Sequence, residues 1–252
     1  GCALGCTFCA TGQQGFRRNL TAGEITEQVL TMERLALAED KEEIQAGTRS
    51  RGELQGVTNV VFMGMGEPLA NYENMMESIW VLNDPKGIGI GARHITVSTV
   101  GLVPGIEKLA KENIQINLAV SLHAPDNETR SETMPVNKRY PIEELIEACK
   151  YFVTKTNRRI FIEYVLLKGQ NDTSMHANKL GRILKDLLCH VNLIPVNPTD
   201  DGPYHRTTYK EAQRFQSDLK TFDVPSTVRM EKGIDIDAGC GQLRDRALGL
   251  TE

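Results

Sequence analysis

Short runs of β-branched and aliphatic residues alternate along this chain with segments whose apolar positions recur at three- and four-residue spacing. The runs at residues 57–63, 94–99, 116–122, 160–167 and 191–195, with a shorter one at 226–230, predict strands. Between them the helical spacing predicts helices near residues 72–82, 103–111, 142–154 and 174–188, and a further one at about 208–221. Upstream, Thr21-Ala-Gly-Glu24 has the spacing of a capping box, and Ile25, Val29, Met32 and Ala36 continue at helical intervals. Residues 40–56 offer no apolar face and predict an exposed insertion.

Several of the strand runs are apolar on both faces, as in Asn117-Leu-Ala-Val120, which suits a parallel sheet covered by helices. Such strand–helix alternation implies an open sheet or a barrel. Nearly every run ends in polar or glycine residues: Gly64-Met-Gly-Glu67, Ser98-Thr99, Ser121-Leu-His123 and Asn197. The carboxyl ends of parallel strands are where α/β folds build their sites, so one shared site is expected there.

Composition changes this picture little. A chain of 252 residues, 40% apolar and 25% charged, fits one large domain with a full core. Twenty-nine basic against 33 acidic residues give a net charge of −4, which argues against a surface that is wholly a nucleic-acid footprint. A local basic patch stays open at Arg17-Arg18, Lys138-Arg139 or Arg158-Arg159, although each pair alone reads as solvated charge. No apolar run is long enough to span a bilayer and no secretory signal opens the chain, so a cytoplasmic location is expected, with no membrane partner. A cysteine motif follows Gly1 at once, where terminal residues would fray; the chain is therefore expected to be a fragment whose upstream part is missing.

Three of the six cysteines lie within eight residues, as Cys2-Ala-Leu-Gly-Cys6-Thr-Phe-Cys9. Structural zinc wants four ligands, usually in two pairs, and no second pair is present. Three thiolates suit an iron–sulfur cluster with one iron left open to bind a small molecule. Cys149 in a helical run and Cys189 at a helix end are expected to be inert apolar fillers. Cys240, flanked by glycines in Asp237-Ala-Gly-Cys-Gly-Gln242, is either a reactive thiol or a stray loop cysteine.

Together these residues resemble the radical S-adenosylmethionine enzymes, through the spacing of Cys2, Cys6 and Cys9. The segments beginning Thr11-Gly-Gln-Gln-Gly-Phe, Gly64-Met-Gly-Glu-Pro-Leu, Ser121-Leu-His-Ala-Pro and Asp237-Ala-Gly-Cys-Gly-Gln-Leu narrow the likeness. They resemble the bacterial adenine-C2 methyltransferases of 23S ribosomal RNA and certain transfer RNAs, along nearly the whole chain. The resemblance implies an α/β fold, a partial (β/α)₆ barrel whose first strand would precede Cys2 and is here cut away. It implies that residues 1–252 are the catalytic domain without the family's amino-terminal RNA-binding domain or the upstream cysteine that releases product.

By the same resemblance Cys2, Cys6 and Cys9 hold a [4Fe–4S] cluster. Gly66 and Glu67 hold the methionine end of S-adenosylmethionine, and Ser98, Ser121, Leu122, His123 and Asn197 line the rest of its pocket. Cys240 is methylated by one cofactor molecule; a second yields a 5′-deoxyadenosyl radical that takes hydrogen from that methyl group, which then adds to adenine C2. The implied partners are the two RNA substrates and a reductant such as flavodoxin or ferredoxin, with the protein a monomer. A relative that methylates C8 of the same adenine carries Ala where this chain has Pro68, which favours C2. A non-catalytic metal-binding module is the alternative of another class, and the pocket motifs after each strand speak against it.

Overall fold

Alternating aliphatic residues make the strands, and the helical crossovers between them lay the strands parallel. The computed structural model describes residues 1–48, 56–197 and 203–229. Its strands are β1 (Val60–Phe62), β2 (Ile95–Thr99), β3 (Asn117–Ser121), β4 (Ile160–Leu166), β5 (Cys189–Pro195) and β6 (Ser226–Val228). They form one sheet in the order β1-β2-β3-β4-β5-β6, and every neighbouring pair is parallel. Because β1 and β6 do not pair, the sheet of the described residues is an open, partial barrel, as expected.

The helices are α1 (Ala10–Gln13), α2 (Ala22–Gln45), α3 (Tyr72–Asn83), α4 (Val103–Leu109), α5 (Asn127–Thr133), α6 (Ile142–Thr156), α7 (Ser174–Leu184) and α8 (Tyr209–Lys220). They pack in neighbouring pairs, α2 on α3, α4 on α6 and α7 on α8. The main core lies between helices and sheet. Ile95, Val97, Leu118, Ile160, Ile162, Tyr164, Val191 and Leu193 from the strands meet Ile79, Ile106, Leu145, Phe152, Leu180 and Phe215 from the helices. Tyr164 and Phe215 stack tilted with ring centroids 5.3 Å apart.

The capping box forms as its spacing predicts: Glu24 N–H donates to Thr21 Oγ1 at 3.2 Å and Thr21 N–H donates to Glu24 Oε2 at 2.9 Å. Thr208 and Glu211 repeat it at the start of α8. Where the predicted exposed insertion begins, helix α2 instead continues to Gln45, because residues 40–45 are mostly strong helix formers. Within that stretch, residues 49–55 lie outside the described residues. Helix α7 ends at Leu184 and Cys189 opens β5, so this cysteine belongs to a strand rather than a helix end. Helix α5 has no apolar period to announce it. Asp126 caps it by accepting from Thr129 N–H at 3.0 Å, and its one fully buried side chain is an arginine.

Candidate functional site

The carboxyl ends of β1 to β5 surround a cavity of about 270 Å³. Cys2, Cys6 and Cys9 lie on its wall together with Gly66, Glu67, Ser98, Ser121, His123 and Asn197. Residues from separate strand ends thus meet in one place, as the polar strand termini predict. Leu122 is the exception: its side chain is fully buried in the core and does not line the cavity, while its backbone N–H donates to the Glu163 carbonyl at 3.1 Å. Cys240 lies outside the described residues.

Glu67 is placed by a tight turn after β1. Gly64 takes φ +132°, a conformation that favours glycine, and the Gly66 N–H folds back to the Gly64 carbonyl at 2.6 Å. Glu67 Oε1 then accepts from Leu69 N–H at 3.0 Å, and Oε2 from Val100 N–H at 2.8 Å. Burial outweighs these bonds and lifts the carboxyl to about 7.

His123 sits at φ +54°, a left-handed conformation held from two sides. Its Nδ1 accepts from Val165 N–H at 3.0 Å, and its carbonyl accepts from Asn171 Nδ2 at 2.8 Å. Burial, with the Arg130 charge nearby, lowers the imidazole to about 3, so the ring is neutral with its proton on Nε2. Phe8, between Cys6 and Cys9, meets that ring edge-on at 5.0 Å.

The cysteine segment is held both within itself and against the barrel. Cys2 N–H donates to Gly15 O at 2.9 Å, Thr7 N–H to Thr133 O at 3.0 Å, and Thr7 Oγ1 bonds the Tyr204 hydroxyl at 2.5 Å. Burial pushes the Cys6 thiol up to about 12 and raises Cys2, and the neighbouring thiols act in the same direction. Thiolates crowded in this way need a positive centre beside them. Among the described residues no three His, Cys, Asp or Glu side chains already stand as the ligand set of a metal ion. The chemistry of the donors, three thiols on one wall, is what fits a cluster with an open iron. Cys149 and Cys189 are buried elsewhere, with thiols raised to about 12 by burial, and act as apolar fillers.

Two charged residues at the site have no motif to announce them. Arg130, fully buried on α5, donates through Nε to Leu122 O (3.1 Å), through Nη1 to Asn137 Oδ1 (2.9 Å) and Tyr140 O (3.2 Å), and through Nη2 to Val100 O (2.6 Å) and Ser121 O (3.4 Å). It clamps the ends of β2 and β3, including the residue whose N–H holds Glu67. Glu163 lies on the cavity wall in the middle of β4. Its signal in the sequence is a lone carboxylate inside Ile160-Phe-Ile-Glu-Tyr-Val-Leu166.

A family model described as the radical SAM superfamily matches residues 1–178. The probable dual-specificity RNA methyltransferase RlmN of Alkaliphilus oremlandii is 49% identical over 248 residues, 98% of this chain and 67% of the relative. That of Desulfitobacterium hafniense is 52% identical over 244 residues, 97% of this chain and 65% of the relative. The crystal structure of a radical SAM methyltransferase from Sphaerobacter thermophilus superposes with a TM-score of 0.87 at 50% identity, covering 97% of this chain and 67% of that one. The chain thus spans about two thirds of the length of the relatives it matches.

Proposed function

Because this chain belongs to the radical SAM superfamily and, within it, to the dual-specificity RNA methyltransferases, we propose that its cavity serves methylation of C2 of an adenine in 23S ribosomal RNA and in some transfer RNAs. The superfamily uses a [4Fe–4S] cluster and S-adenosylmethionine: when bound, the cluster supplies the electron that splits the cofactor, which is the source of both radical and methyl group.

The chain's own residues would bind, orient and exclude water. Cys2, Cys6 and Cys9 would hold the cluster. Gly66 and Glu67 would take the methionine end of the cofactor. A carboxyl that burial has brought to about 7 ionises readily when a cationic amino group arrives beside it. Ser98, Ser121 and Asn197 offer hydroxyl and amide partners, and neutral His123 offers an Nε2 proton. Val165, Ile194 and Val196 give the cavity an apolar wall that keeps water out. Cys240 would carry the methyl group to the adenine. Pro68, on the cavity wall at the start of the turn that Glu67 caps, supports C2 over C8.

The reductant would be a flavodoxin or ferredoxin, the protein a monomer and its location the cytoplasm. Among the described residues no helix is long and apolar enough to cross a membrane.

The observation that carries this reading is the gathering of the three thiols with Glu67, Ser98, Ser121, His123 and Asn197 around one cavity. The test uses the full-length native protein, reconstituted anaerobically, with cofactor, reductant and a 23S ribosomal RNA fragment. Nucleoside mass spectrometry should find 2-methyladenosine. Cys240→Ala should abolish it while the protein keeps about four irons and four sulfides. Undiminished product from that variant, or 8-methyladenosine alone from the native protein, would overturn the assignment.

A further inference from the structure

The cavity wall holds two buried carboxylates, and they are not equivalent. Each oxygen of Glu67 accepts a backbone N–H. Glu163 is only 4% exposed, and its Oε1 accepts from Asn192 Nδ2 at 2.8 Å, but among the described residues its buried Oε2 has no hydrogen bond. Arg229 Nη1 stands 3.7 Å from Oε2, beyond hydrogen-bond reach, on a half-exposed side chain. A carboxylate oxygen out of water without a donor is penalised until something supplies one.

Its surroundings define what that donor is. Ser121, Glu163, Asn192 and Thr227 occupy one register row across four parallel strands, so their side chains point to the same side of the sheet. Ser121 and Glu163 of this row reach the cavity. One layer nearer the strand ends on the same face, Val165 and Ile194 form an apolar surface with Val196. A flat apolar wall above a polar row fits a purine nucleoside, whose ring packs on the first and whose edge donors meet the second.

We propose that Glu163, held by Asn192, accepts a hydrogen bond from an adenosine bound in the cavity, either its exocyclic amine or a ribose hydroxyl. This deepens the function proposed above and rests on it. Two adenosines share that chemistry, the adenosyl group of S-adenosylmethionine and the target nucleotide of the RNA.

The test compares the reconstituted full-length protein with its Glu163→Ala and Glu163→Gln variants. One arm titrates S-adenosylmethionine; the other titrates a short RNA with a single unpaired adenosine. Thermal unfolding and iron content serve as checks on folding. Loss of the acceptor should weaken one of the two affinities about ten- to a hundredfold, with iron content unchanged. Weaker cofactor binding alone assigns Glu163 to the adenosyl group; weaker RNA binding alone assigns it to the target.

Glu163→Gln keeps the proposal testable should the Ala variant fail to fold. The new amide would turn its carbonyl to Asn192 and its NH₂ to the cavity, donor against donor, so binding should still fall. Folded variants that bind both probes as the native protein does would overturn the role of Glu163 alone. Native protein that binds neither probe would overturn the underlying function and this proposal with it.

Discussion

His123 stays neutral in the fold because burial holds its imidazole near 3, and that exacts a pH-dependent penalty. An unfolded chain takes up a proton as pH falls below the ordinary histidine value of about 6.5, whereas the folded chain does not until about 3. The stability this residue contributes is thus present above about 6.5 and is lost as pH falls from there toward 3. By pH 5 the loss should reach about 2 kcal/mol. Urea unfolding of the native protein and of His123→Asn at pH 7.5 and pH 5 should show a smaller drop in the variant, since asparagine tolerates the +54° backbone without titrating. Equal drops would assign the acid sensitivity to other groups. Glu67 poses a different question. On the sequence it reads only as a site carboxylate at a strand end. In the structure it caps the turn beginning at Pro68 through Leu69 N–H and secures Val100 N–H, so Glu67→Ala should lower stability by about 1–3 kcal/mol as well as weaken cofactor binding. Calorimetry for affinity and thermal unfolding for stability separate the two effects.

Arg130 and α4 act on the site through elements rather than through ligands. Arg130→Met would leave the carbonyls of Val100, Ser121, Leu122 and Tyr140 and the Asn137 amide oxygen without their donor. A loss of at least about 3 kcal/mol is expected in urea unfolding. Arg130→Lys should restore little of it, because one ammonium cannot reproduce the guanidinium fork. In α4, a Cβ on Gly105 would lie 2.9 Å from Leu69 Cβ, closer than side chains approach. Gly105→Ala gains about 1 kcal/mol of helix propensity but pushes on the turn that holds Glu67. We expect net destabilisation of about 1–3 kcal/mol and weaker cofactor binding; an unchanged affinity would show that the turn absorbs the push. Neither residue was legible beforehand, since long-range packing leaves no local pattern. The strands, the Thr21 and Glu24 cap, and the gathering of Glu67, Ser98, Ser121, His123 and Asn197 were legible, because periodicity and strand-end polarity are local. Leu122 shows the limit, as its neighbours face the cavity while it turns into the core.

Across the whole molecule, Cys2, Cys6 and Cys9 lie in no strand or helix, with Cys6 in the main core and Cys9 packed against it. Cys2, Cys6 and Cys9 changed together to Ala should therefore abolish iron binding while circular dichroism of the sheet and helices is retained. Hydrogen exchange over residues 1–20 should be fast in that variant and slowed in the iron-loaded protein. Protection that is identical in both would mean that the segment owes its order to the fold alone. The order of the strands adds a consequence of another kind. Since β1 to β6 are adjacent in space in the order in which they occur along the chain, each strand leaving the ribosome meets a partner already made. Sheet growth can thus keep pace with synthesis, with contacts that span one strand–helix unit at a time. The cavity keeps a different schedule, for its wall runs from Cys2 to Asn197 and closes only when β5 has been added. Until then the nascent chain carries its three thiols beside a half-built pocket, and a cluster held by them as proposed above would have to wait for the later strands.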